Sequence, residues 1–160
     1  MKKLIVIGFI GFIVILAVSC GEANTNSGIP TSKANPDKTT PANPSYDPHR
    51  GEGKFTKVDI GATVDASMAD NGNKVYGVKC QGCHKLTDEK LVGPGWKGVT
   101  VRHSPEWIMN FITNTDEMIN KDPKAQAQLE ICLVRMPNQN LSDDDARAIY
   151  EFQRKNDGAK

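Results

Sequence analysis

Hydrophobic and polar positions divide the chain into three textures. Leu4 to Val18 is an uninterrupted apolar run of 15 residues. Residues 21 to about 50 hold almost nothing apolar. From Phe55 onward apolar side chains return at roughly helical spacing. Asp65 through Lys79 predicts a helix with Val64, Met68, Val75, Tyr76 and Val78 as its apolar positions, interrupted by Gly72 at some cost. Ser104-Pro105-Glu106 is a helix start, serine as N-cap and proline in the first turn, and Trp107, Ile108, Phe111 and Ile112 follow on one face. Asp122-Pro123 opens another helix, with Leu129, Cys132 and Leu133 as its apolar face. Ser142 caps a last helix whose first turn holds Asp143, Asp144 and Asp145, where the helix dipole favours acids; Ile149 and Phe152 share a face of it. No segment alternates like a strand and no repeat is visible. The expected fold class is therefore all-α, roughly 100 residues of short helices and long loops. That is a thin core for its size, and a bound apolar group would complete it.

The first texture reads as an export signal. Lys2 and Lys3 precede an apolar run that is short for a spanning helix, which needs ~20 residues. Ala17-Val18-Ser19-Cys20 follows, and it resembles the lipobox of bacterial lipoproteins, although the favoured leucine stands one place early at Leu16. That resemblance implies cleavage before Cys20 and a lipid on its thiol. The expected division is a signal peptide over 1–19, a lipidated tether over 20–54 and a folded domain over 55–160. The tether is rich in Asn, Thr, Ser and Pro and cannot offset its own ordering entropy. The whole chain carries +1. Without Lys2 and Lys3 the remainder stands near about −1, so no large field favours nucleic acid.

The chain has four cysteines: Cys20, Cys80, Cys83 and Cys132. Cys80-Gln81-Gly82-Cys83-His84 is the attachment motif of haem c. Two thiols add to the vinyl groups on one porphyrin edge, and the adjacent histidine becomes the proximal iron ligand. A thioredoxin-like reading wants a βαβ context, and a zinc site wants a second ligand pair; neither is present. The other axial ligand is open among Met68, Met109, Met118, Met136, His49, His103 and Cys132. Met136 is preferred, because Met136-Pro137 lies between an apolar helix and the capped last one, and proline stiffens that loop.

From about Asp65 to Lys155 the chain resembles the class I, small monohaem cytochromes c. The resemblance rests on a first helix with Gly72 and Tyr76, then Cys80-x-x-Cys83-His84, then Gly93-Pro94-Gly95-Trp96, and Met136-Pro137 before the last helix. It implies one covalent haem c with His84 and Met136 on the iron. Pro94 would offer its carbonyl to His84, and Trp96, in place of a usual leucine, would pack under the proximal face. Trp107 would lie near the haem propionates or serve as an ordinary core residue. Gly72 with Val75 or Tyr76 would meet Ile149 and Phe152. An iron saturated by His and Met has no open position, so the expected role is electron transfer and not catalysis. The alternative is a haem-based sensor with a displaceable methionine. Lys74, Lys79, Lys85, Lys90, Lys97 and Arg102 suggest a basic haem edge that docks a redox partner. Gln126 to Phe152 and Ser104 to Trp107 resemble lipoprotein cytochromes found beside nitrous oxide reductases. The expected location is outside the cytoplasmic membrane, facing the periplasm or cell exterior, with Cys20 as anchor.

Overall fold

The computed structural model describes residues 46–160. The expectations for the signal segment, Cys20 and the tether up to residue 45 lie outside the described residues. Six helices follow in order: α1 Ala66–Lys79, α2 Val99–Arg102, α3 Pro105–Thr113, α4 Thr115–Lys121, α5 Pro123–Cys132 and α6 Asp143–Asn156. Among the described residues there is no sheet, and a single bridge pairs His84 with Lys90. None of their helices is long and apolar enough to cross a membrane.

Local chemistry explains the helix starts. The Asp65 side chain accepts from Met68 N (2.9 Å), Ser104 from Trp107 N (3.2 Å) and Asp122 from Ala125 N (2.8 Å). Each satisfies a donor that the first turn leaves free. Ser142 and Asp145 form a reciprocal capping box at the head of α6.

The spine of the fold is the crossing of α1 and α6. It buries Ala69, Gly72 and Tyr76 from α1 against Ala148, Ile149 and Phe152. A Cβ on Gly72 would stand 2.1 Å from the Ala148 carbonyl oxygen, so the approach is possible only for glycine. Gly72 is thus the contact point of the helix and not an interruption of it. The expected apolar face of α1 is corrected accordingly: Val78 is 85% exposed and Met68 39%, because a crossing this close is built from the smallest side chains. Behind it, the buried Glu151 carboxylate accepts from Arg154 and from Asp65 N, and it also pairs with Arg147. Arg154 donates onward to Gly61 O and Thr63 O, tying the entry of α1 to α6.

Ordered packing begins before Phe55. Tyr46 is buried and its hydroxyl donates to Asp122. Asn110, fully buried on α3, donates to Arg50 O and Phe55 O and accepts from Phe55 N, each at 2.9 Å. Val58 N donates to Glu106 at 2.8 Å. Residues 46–60 therefore form a strap across α3, held by side chains that the apolar pattern cannot reveal.

Two further differences concern the region before α6. Helix α5 ends at Cys132, and Leu133, expected on its apolar face, caps it with a left-handed backbone (φ 60°) and is 83% exposed. Met136 lies beyond in the loop. The short helices α2 and α4 were not marked by the periodicity, since four and seven residues show too little of a period.

Candidate haem-binding site

The Cys80–His84 motif lies where α1 stops. Cys80 caps the helix, and Cys83 N and His84 N both donate to Cys80 O at 3.0 Å, closing a tight turn. Tyr76, one turn earlier, donates its hydroxyl to His84 O at 2.8 Å. The turn thus presents two thiols and an imidazole from one helix end. Burial pushes the Cys80 thiol up to about 11, against a smaller opposing pull from Lys79.

His84 is fixed from several directions. Its Nδ1 lies 2.9 Å from Pro94 O, a geometry in which Nδ1–H donates and Nε2 keeps its lone pair. Trp96 packs beside the ring, with centroids 5.7 Å apart. A Cβ on Gly93 would fall 2.3 Å from His84 Cε1, so only glycine lets that loop pass across the imidazole. Gly93 N donates to Cys83 O and Trp96 N to Lys85 O, each at 2.9 Å, stitching the loop to the motif. Burial pulls the imidazole below its usual range, opposed by the Pro94 bond. A neutral imidazole with a free Nε2 is the form that binds a metal.

These groups open on a cavity of about 400 Å³. One wall is α3, through Trp107, Ile108, Phe111 and Ile112; another is α5, through Ala125, Gln128, Leu129 and Cys132 at helical spacing. Met136 lines the cavity from the loop, and it also borders a smaller hollow of about 40 Å³ beside Cys80, Leu141 and Ile149. The other described methionines are placed differently. Met68 is on the surface, Met109 is buried in α3, and Met118 is fully buried with its sulfur accepting from Glu52 N at 3.0 Å. His49 sits on the outer strap, 72% exposed, beside Glu106. Cys132 is half-buried and Cys83 exposed.

Trp107 is buried on the cavity wall, but its indole N–H is committed to Asp122, 2.8 Å away. It stacks between Phe111 at 5.1 Å and His103 at 3.9 Å. Burial, with Lys124 and Arg102 nearby, pushes His103 down to about 4. His103, one of the candidate axial ligands, and Gln153 of α6 both line the cavity. The α3 periodicity pointed to the cavity wall, whereas nothing in the sequence marks Gln153.

The donor set fits a haem. An apolar, aromatic-walled space has the Cys83 thiol, an imidazole with a free nitrogen and a thioether on its walls, the Cys80 thiol borders the adjoining hollow, and the Gly93 cradle leaves room for the imidazole.

The family model for cytochrome c matches residues 69–156. This chain belongs to the cytochrome c family. Among solved structures, a cytochrome c from Rhodothermus marinus shares 33% identity with a TM-score of 0.64, over 66% of this chain and 90% of that one. An engineered form of the Rhodothermus marinus cytochrome, Rma TDE, shares 32% identity over the same shares of the two chains, with a TM-score of 0.63. No curated protein matches the chain. As a cytochrome c it is a haem-bearing electron carrier and not a catalyst, on a class I-like fold.

Proposed function

We propose that this cytochrome c passes single electrons through one covalent haem c ligated by His84 and Met136, and that a lipid on Cys20 holds it to the outer side of a membrane. The observation that carries the ligation is the position of Met136: of the described methionines, it alone lines the cavity that His84 faces. Cys80 and Cys83 would bind the porphyrin edge as thioethers. When bound, haem c supplies a one-electron iron couple. Pro94 and Trp96 hold the imidazole in one tautomer and one plane. The apolar side chains of α3 and α5 keep water from the cavity, which with methionine ligation favours a raised potential.

Lys90, Lys97 and Arg102 border the cavity. With Lys85 they form the basic edge proposed for docking an acidic redox partner, an exported or membrane enzyme such as a nitrous oxide reductase. Charge of this kind acts mainly on the association rate and is screened by salt. Lys85 is partly neutralised by Glu89 at 2.7 Å, so Lys97 is the more informative charge to reverse.

The deciding experiment is Met136→Ala. The haem should remain attached while the ferric charge-transfer band of methionine–iron ligation disappears and the potential falls. An unchanged spectrum and potential would show that Met136 is not the ligand. Cys20→Ser should separately release the protein from the membrane; unchanged attachment would remove the lipid anchor from the proposal.

A further inference from the structure

Two polar atoms on the cavity wall are buried without a hydrogen-bond partner: His103 Nδ1 and Gln153 Oε1. Gln153 is only 2% exposed. Buried polar groups are ordinarily paired, so two orphans on one apolar cavity point to an absent partner. Neither side chain is loosely placed. His103 lies flat on Trp107, with ring planes 14° apart, and Trp107 is itself pinned by Asp122 and Phe111. Gln153 is buried in the last turn of α6, three residues before its end at Asn156.

The charges around His103 indicate what the partner is. Arg102 from α2 and Lys124 from α5 both act on it as cations, and Asp122 is the one carboxylate acting on it. Asp122 is already engaged: it accepts from Tyr46, from Trp107 Nε1 and from Ala125 N. Tyr46 is thereby the titratable group that the strap brings to this place. Arg102 is held at the cavity by Lys97 O (2.6 Å) and Gly95 O (3.3 Å). The corner has an unpaired ring nitrogen, two cations and a carboxylate whose donors are accounted for. It lacks an anion.

Haem carries two propionate carboxylates on the edge opposite its vinyl-derived bonds. We infer that one propionate of the haem sits beside His103 and Arg102, with His103 Nδ1–H as its direct donor. This rests on the haem reading above. It assigns to His103 the contact that the family resemblance suggested for Trp107, whose N–H is already committed. His103 is then a positioning residue: it orients the carboxylate and sets its proton affinity, and so the pH dependence of the potential.

The test uses the haem-loaded protein. In the diamagnetic ferrous state, proton NMR should show a slowly exchanging His103 Nδ1–H with a nuclear Overhauser contact to a propionate methylene. A rapidly exchanging proton with no such contact would overturn the inference. Midpoint potentials measured against pH give a second readout. His103→Phe keeps the ring on Trp107 and removes the donor. It should raise the pH of the propionate-linked step by about one unit, a tenfold change in proton affinity. His103→Asn, which places an N–H near the Nδ1 position, should bring the step back towards the parent value. Identical profiles in all three proteins would sink the idea. If His103→Phe does not accumulate, the NMR measurement on the parent protein decides alone. Purified protein without covalent haem would instead overturn the haem reading, so the two failures are distinguishable.

Discussion

Replacing Gly72 with alanine tests how closely α1 and α6 approach. The added Cβ would lie 2.1 Å from the Ala148 carbonyl oxygen, 2.5 Å from its carbon and 2.8 Å from Phe152 Cβ. Ordinary contacts need ~3.5 Å, so the helices must part by about 1 Å. The obstacle is main chain inside α6 and cannot rotate away as a side chain could. Overpacking of this kind costs ~1–3 kcal/mol. Against it stands the gain of ~0.5–1 kcal/mol from alanine over glycine in a helix. The net expectation is a loss of about 1–2 kcal/mol, or a midpoint several degrees lower for a domain of this size. Gly77 is the internal control, since it lies in the same helix and a Cβ there meets nothing within 4 Å. Gly77→Ala should therefore gain the helix term without the penalty, ~0.5–1 kcal/mol. Urea unfolding of the two holoproteins, followed by far-ultraviolet circular dichroism, measures both. If Gly72→Ala is stabilised as much as Gly77→Ala, the close crossing is wrong.

Asn110→Ala strips the partners from Phe55 N, Phe55 O and Arg50 O; it should cost ~2–4 kcal/mol and raise hydrogen exchange selectively in residues 50–58. Unchanged protection there would mean that the strap is held by other contacts. Glu151→Ala leaves Arg147 and Arg154 facing each other without their buried carboxylate, and a loss of ~3–5 kcal/mol in denaturant titrations is expected. A loss under ~1 kcal/mol would show that water replaces the carboxylate readily. The pH prediction concerns Tyr46, Tyr76 and Tyr150, the chain's three tyrosines. Burial raises all of them above the usual value of 10.0, most strongly Tyr46, where Asp122 adds to the effect. A raised folded pKa contributes stability below pH 10 that is lost as the pH climbs above it, because the unfolded chain releases phenolic protons that the folded one retains. Carbon-13 NMR of labelled tyrosine should show all three rings still protonated at pH 10; a ring ionising at its free value would contradict its burial.

The site was legible in the sequence because its chemistry is local. Cys80, Cys83 and His84 must be close in the chain, since two thioethers and one axial bond reach the same porphyrin. Three helix starts were legible because capping acts within three residues: Ser104, Asp122 and Ser142. The apolar spacing of Trp107, Ile108, Phe111 and Ile112 likewise marked a buried wall before its cavity was seen. What could not be read is what depends on distance. Whether Gly72 weakens a helix or permits a crossing is decided by Ala148, 76 positions away. Whether Leu133 continues a face or caps the helix turns on a backbone angle that its apolar side chain does not signal. Nothing in the sequence marks Asn110 and Glu106 as buried; the strap that passes over them does that. Trp107 had a free N–H only until Asp122 was placed against it, and that left His103 with an unpaired ring nitrogen on the wall. Covalent and capping chemistry is set by neighbours in the chain. The pairing of buried polar groups is set by neighbours in space, and only the folded structure supplies those.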